Sequence, residues 1–304
     1  MAEVGLVRFA QVALSVAREI VPAYRTKFSK HRFTQPQLLV ILLLMRYEDW
    51  TFREAEVRLA EHSDLRAALG LTSAPDHTTL YRFMRRLDAS TLQRLLVAVV
   101  ERMPAADAGT VVAVDATGLA PGAISTFFVN RKRDSGEGFP WRQWLKWLVA
   151  VDGKRQLVLA QIAKRGPTND SATLRPLVAM GQYVGEIDTV LADGEFDSER
   201  NHRFIREEVG AASVIPARRG KASWKKQGIR AEMAAQFPAE VYGQRSLVES
   251  VFSAAKRKLS ARAPGRSLTT QRLQALLLGV AYDVYRLWRA PTRIGKRPAF
   301  SRAA

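Results

Sequence analysis

Two aspartates stand where short apolar runs end. Asp115 follows Val111-Val112-Ala113-Val114, and Asp193 follows Thr189-Val190-Leu191-Ala192. A lone carboxylate next to a segment made for burial is expensive to desolvate, so each is either a strand-ending turn residue or a ligand. A third acid, Glu249, lies in a stretch where Tyr242, Arg245, Glu249 and Lys256 sit at offsets of 0, 3, 7 and 14. At roughly 100° per residue these four fall within about 60° of one helix face. Leu247, Val248, Val251, Phe252, Ala255 and Leu259 occupy an adjoining apolar face. One helix therefore offers a carboxylate beside two cations and a phenol while its other side is anchored. The chain contains no Cys and four His, which excludes disulfides, thiolate zinc sites and cysteine nucleophiles. Three carboxylates with so little nitrogen or sulfur describe an oxygen-only site, suited to Mg²⁺ or Mn²⁺.

The elements that must carry these residues divide at Pro104. From Val4 to about Met103 apolar residues recur at three and four, in Val7–Val21, Gln35–Met45, Thr51–Leu59 and Thr91–Val100, which predicts helices. Within this region Ser73-Ala74-Pro75-Asp76-His77 reads as a turn and cap leading into a helix from Thr78 to Leu87. That helix has Leu80, Phe83, Met84 and Leu87 inward and carries Arg82, Arg85 and Arg86, the pattern of a helix-turn-helix recognition element. A surface helix with solvated arginines would look the same. After Pro104 come Val111–Val114, Trp147–Val151, Gln156–Ile162, Thr189–Leu191 and Ala212–Ile215, short runs bounded by Gly, Asp, Lys or Pro that predict buried strands. Asp152-Gly153 marks a hairpin between the second and third. Helical segments near Ala172–Met180, Ser198–Glu208 and Tyr242–Leu259 alternate with the later strands, which predicts an α/β domain with a mixed sheet.

Charge points to the partner. The 304 residues hold 47 Lys plus Arg against 29 Asp plus Glu, a formal net charge of +18. Such a balance fits a polyanion, with nucleic acid favoured over a generally basic soluble protein. Asn130–Gly138 and Arg218–Lys226 are basic, Gly-bearing loops able to follow phosphates, and from Ala254 to Ala303 twelve basic residues face the single acid Asp283. The longest apolar run, Leu38–Met45, is too short for a bilayer, and a signal-type N-terminus is lacking, so a cytoplasmic protein without a membrane partner is expected.

The spacing Tyr242-x2-Arg245-x3-Glu249-x6-Lys256 matches the Tyr-Arg-Glu-Lys signature of insertion-sequence DDE transposases, and the chain resembles that family from about Val111 to Trp288. Ala113-Val114-Asp115-Ala116-Thr117 is similar to its first-Asp strand, and Leu191-Ala192-Asp193-Gly194-Glu195-Phe196-Asp197-Ser198 to its Ala-Asp-Lys-Gly-Tyr-Asp-Ser segment. Gly194, Glu195 and Phe196 depart from the commoner Lys-Gly-Tyr. Gly166-Pro167-Thr168-Asn169-Asp170-Ser171 resembles the strand-to-helix turn between the two acids. The resemblance implies a ribonuclease-H-like catalytic domain over residues 107–288, after an all-helical DNA-binding region at 1–106 and before a basic tail at 289–304. It implies Asp115, Asp193 and Glu249 as catalytic residues holding two Mg²⁺ or Mn²⁺ ions, with Asp115 shared between them. Tyr242, Arg245 and Lys256 would hold double-stranded DNA ends, in at least a homodimer.

Arg142 and Lys146 are further candidate DNA contacts, and Trp141, Trp144 and Trp147 either stack on a displaced base or serve the core. Asp170 and Asp197 read as caps or turn residues. Two rival functions keep parts of this picture: a ribonuclease-H-like nuclease or resolvase that cuts without joining, and a non-catalytic, domesticated DNA-binding protein.

Overall fold

The expected strands form one five-stranded sheet: β1 (Thr110–Leu119), β2 (Leu145–Asp152), β3 (Leu157–Arg165), β4 (Ile187–Ala192) and β5 (Ala212–Val214). The computed structural model describes residues 5–28, 31–104, 110–121, 134–135, 144–218, 228–265 and 267–289. The strand order is β3-β2-β1-β4-β5. The pairs β1–β2 and β2–β3 are antiparallel, whereas β1–β4 and β4–β5 are parallel. Every residue of β2 is buried, as befits a strand covered on both faces. In the β2–β3 hairpin Asp152 pairs with Leu157, so the loop is the four residues Gly153–Gln156. Gln156 takes the left-handed conformation with φ 56°, and the Asp152 carboxylate secures the loop by accepting from Arg155 N at 2.9 Å and Nε at 2.5 Å.

Among the described residues, six helices precede the sheet: α1 (Leu6–Ile20), α2 (Gln35–Tyr47), α3 (Phe52–Glu61), α4 (Ser63–Leu69), α5 (His77–Met84) and α6 (Ala89–Glu101). Their starts follow local chemistry. Thr34 and Thr51 each form a capping box with the residue three positions on, and Asp76 and Asp88 cap α5 and α6 through their carboxylates. Helix α5 begins one residue before its expected start and stops at Met84, so Arg85 and Arg86 lie in the turn beyond it. After β3 come α7 (Leu174–Gly181), then α8 (Glu199–Arg203), which continues as a π-helical turn to Val209. The C-terminal part holds α9 (Ile229–Ala235), α10 (Ala239–Gly243), α11 (Ser246–Lys258) and α12 (Leu268–Arg289).

Helix α12 organises the molecule. Leu273, Leu276, Leu277, Val280 and Val284 recur at three and four and are buried, and the helix packs on β3, β2, α6, α2 and α1. One apolar cluster consequently runs from Phe9 through Leu39, Ile41 and Leu96 to Ala113, Trp147, Val251 and Tyr282. A second, including Val112, Val114, Leu148, Leu177 and Ile205, fills the opposite face of the sheet. The change near residue 106 is thus one of secondary structure, from helix to strand, and the packing continues across it. Of the segment 289–304, only Arg289 at the end of α12 lies within the described residues.

Candidate active site

Asp115 and Asp193 are set by sheet register. Val114 on β1 pairs with Ala192 on the parallel β4, so the two residues that follow stand side by side where β4 ends. This is the edge at which parallel strands present ligands. Asp115 is largely enclosed, its side chain 16% exposed. Burial raises its pKa above the usual carboxylate range and nearby Asp193 adds to the rise, against the Ala116 N–H and Arg245, which lower it. Asp193 caps the short turn Gly194–Phe196, its Oδ1 accepting from Glu195 N at 2.8 Å.

Glu249 arrives from α11. The expected single helix from Tyr242 to Leu259 is instead α10 and α11 joined by a tightened turn, in which Arg245 N, Leu247 N and Val248 N each donate to the carbonyl three residues back. The functional stripe survives because the backbone of Gln244 and Arg245 stays right-handed helical. Val248, Val251, Phe252 and Ala255 are buried, as the apolar face requires. Arg245 joins the acids: its Nη1 donates to Asp115 Oδ2 at 2.7 Å and its Nη2 to Glu249 Oε1 at 3.1 Å. The guanidinium stands 5.8 Å from the centre of the Tyr242 ring, a cation–π distance, and that ring meets Phe237 edge-on at 5.0 Å. Burial opposes the Arg245 charge, and Asp115, Tyr242, Glu249 and Asp193 outweigh it, so its pKa is raised.

At the other end of α11, Lys256 Nζ donates to Thr117 Oγ1 at 2.6 Å. Burial lowers the Lys256 pKa. Thr117 shares a strand face with Asp115 two residues earlier; sequence reading passed it over, although it stands in the Asp115-Ala116-Thr117 motif. The donor set of Asp115, Asp193 and Glu249 is all oxygen and anionic, which fits hard divalent cations. The ligating atoms of these three acids do not all lie within 4.8 Å of one another. Among the described residues, the only three ligating side chains whose atoms lie within 4.8 Å of one another are Glu56, Asp76 and His77, at the start of α5. There His77 Nδ1 is 2.7 Å from Glu56 Oε2, and its backbone N–H donates to the same oxygen at 3.1 Å.

Other predicted positions fare differently. Arg82, Arg85 and Arg86 are exposed, with Leu80, Phe83 and Met84 buried beneath them. Lys146 is corrected: it is 7% exposed, and its ammonium is held by Asp170 Oδ2 at 2.5 Å and Thr168 O at 2.9 Å, so it presents no free charge to a phosphate. Asp170 stands at the head of the turn Ser171–Thr173, as expected, but its side chain makes no capping bond and is instead a buried acceptor, also paired with Lys164 at 2.9 Å. Asp197 ends the turn Gly194–Phe196, its N–H donating to Gly194 O, while its side chain reaches further. It accepts from Arg230 Nε and Nη2 at 2.9 and 2.7 Å and from Arg218 N at 2.8 Å. Burial pushes its pKa up, but His202, Arg230 and the Arg218 N–H together hold it well below the usual carboxylate range. Trp147 belongs to the core, its Nε1 donating to Gln161 Oε1 at 3.0 Å. Trp144 lies against Gly166, where an added Cβ would meet the ring at 2.8 Å. Arg142 and Trp141 lie outside the described residues.

The chain matches a family model described as the transposase DDE domain over residues 107–284, more than half its length. A search of curated proteins returns no match. No helix among the described residues is long and apolar enough to cross a membrane. The mixed sheet agrees with that match: the fold is ribonuclease-H-like, and the chain belongs to the DDE transposases, a family of nucleic-acid-cleaving enzymes.

Proposed function

We propose that this transposase binds the terminal inverted repeats of an insertion sequence, cuts the DNA ends by metal-dependent hydrolysis, and joins the resulting 3′-hydroxyls to target DNA. The observation that carries this reading is the placement of Asp115 beside Asp193 at adjacent parallel strands, with Glu249 tied to Asp115 through Arg245. These three carboxylates would hold two Mg²⁺ or Mn²⁺ ions, which when bound stabilise the attacking and leaving oxygens of an in-line phosphoryl displacement. The chain itself supplies alignment and charge. The partly enclosed Asp115 fixes the centre of the site, Tyr242 and Arg245 line its rim, and Lys256, further along α11, would reach a phosphate of the DNA end. No covalent enzyme intermediate is required, because orientation and electrostatic stabilisation carry the rate. Exposed Arg82, Arg85 and Arg86 on and after α5 would contact duplex DNA away from the site. Pairing two DNA ends calls for at least a homodimer.

The test uses DNA carrying the inverted repeats that flank the reading frame. Wild-type protein with Mg²⁺ is expected to nick at the element ends and to transfer pre-cut ends into a target. Ala at Asp115, Asp193 or Glu249 abolishes both reactions while DNA binding persists. Cutting without transfer would favour a nuclease or resolvase, and binding without cutting a domesticated DNA-binding protein.

A further inference from the structure

We infer that Arg245 is an internal stand-in for the divalent cation: its guanidinium holds Asp115 and Glu249 until a metal ion displaces it and the side chain passes to a DNA phosphate. This rests on the reading of the three acids as metal ligands, and deepens it. The two bonds, 2.7 Å to Asp115 Oδ2 and 3.1 Å to Glu249 Oε1, engage oxygens from two elements that metal coordination would also draw on. A positive group between them offsets the repulsion that neighbouring carboxylates would otherwise suffer. It also stands between them. The three acids do not gather their ligating atoms within 4.8 Å, whereas Glu56, Asp76 and His77 do, so loading the site requires it to contract into the space that the guanidinium fills.

An ordinary helical ion pair between positions four apart would account for Glu249 alone. It does not account for Asp115, which is 130 residues away on β1, 16% exposed, and engaged by the same guanidinium. The way out is open, since the Glu249 side chain is 62% exposed and Arg245 itself 20% exposed. Arg245 is also placed to turn, standing at the tightened junction between α10 and α11 with the Tyr242 ring 5.8 Å from its guanidinium. Metal and DNA then become linked. A phosphate that accepts the guanidinium clears the carboxylates for metal, and by reciprocity bound metal raises affinity for DNA by the same factor.

The experiment measures free Mn²⁺ by electron paramagnetic resonance in the full chain without DNA. Arg245→Gln is expected to bind Mn²⁺ about tenfold more tightly than wild type, the scale of losing competition from charge-assisted hydrogen bonds that are partly solvated. An unchanged or weaker affinity overturns the inference, provided that Asp115→Asn, Asp193→Asn and Glu249→Gln still weaken binding, which leaves the metal-ligand reading standing. Indifference of Mn²⁺ binding to all three acid substitutions overturns both. The wild-type chain gives a second readout that no folding defect can mimic. With Arg selectively ¹⁵N-labelled, saturating Mg²⁺ should shift the Arg245 Nε–Hε resonance out of its ion-paired position, and a resonance that stays in place contradicts displacement.

Discussion

A carboxylate becomes useful to a metal when its backbone is fixed, and the turn that follows Asp193 is tied down at a neighbour four residues away. Asp197, whose side chain is fully buried, is gripped by Arg230 and the Arg218 N–H, with His202 Nε2 at 3.6 Å. This clamp anchors the loop that begins at Asp193. Removing the acid leaves Arg230 without its partner; because that side chain is 31% exposed, the loss falls below the full cost of breaking a buried pair. Asp197→Ala should therefore destabilise the fold by about 2–3 kcal/mol, measured by urea unfolding, and Asp197→Asn by less. The spacing of the Tyr-Arg-Glu-Lys stripe, and the acids that follow two apolar runs, were legible because local pattern encodes them; that β1 runs on past Asp115 to Leu119 was not. The true partners of Lys146 and Asp197 were not, since Asp170 lies 24 residues and Arg230 33 residues along the chain. Pairings at that range leave no periodic trace, and a buried lysine has the same sequence signature as one facing phosphate.

Elements were legible where hydrophobic rhythm is strong. All five strands emerged from short apolar runs with polar ends, and the turn and cap at Asp76 announced α5, whereas the capping boxes at Thr34 and Thr51 went unread. Helix α12 was read only as part of a basic stretch, although its leucines and valines carry a helical rhythm; the charge at its ends hid the apolar middle. Its one acid adds a polar tie to that apolar docking. Asp283 is fully buried and its Oδ1 accepts from Val158 N at 3.0 Å, pinning α12 to β3. Burial raises its pKa well above the usual range, outweighing the Val158 hydrogen bond and the Arg286 and Arg155 charges that lower it. The folded state thus keeps a proton that the unfolded chain has already released. Folding is favoured by this group below the ordinary carboxylate pKa, and the contribution is lost as pH rises through the elevated folded value. Asp283→Asn keeps the acceptor for Val158 and has no charge to bury. Its stability should fall less than that of wild type as pH rises across this window, as thermal unfolding at a series of pH values would show; parallel curves would contradict the assignment.

At the scale of the whole molecule, the helical region and the catalytic sheet are built around common apolar contacts through α12. The change in composition after Pro104 was legible as a change in element type, but whether the two parts share a core depends on how α12 folds back. Leu43 on α2 is fully buried in that shared cluster. Leu43→Ala should cost about 2–5 kcal/mol and lower the melting of helices and sheet together, detected as coincident far-ultraviolet and tryptophan-fluorescence transitions. Separate transitions would show two independent units. The same architecture brings Asp115 of β1, Asp193 just after β4 and Glu249 of α11 to one side of the sheet, and the proposed function rests on those three acids holding a metal there. Replacing Mg²⁺ with Fe²⁺ and generating hydroxyl radicals at the bound ion maps that location on the protein backbone. The account predicts breaks near Asp115, Asp193 and Glu249 that excess Mg²⁺ and Glu249→Gln both suppress. Breaks confined to the neighbourhood of Glu56, Asp76 and His77, or a pattern indifferent to Glu249→Gln, would contradict it.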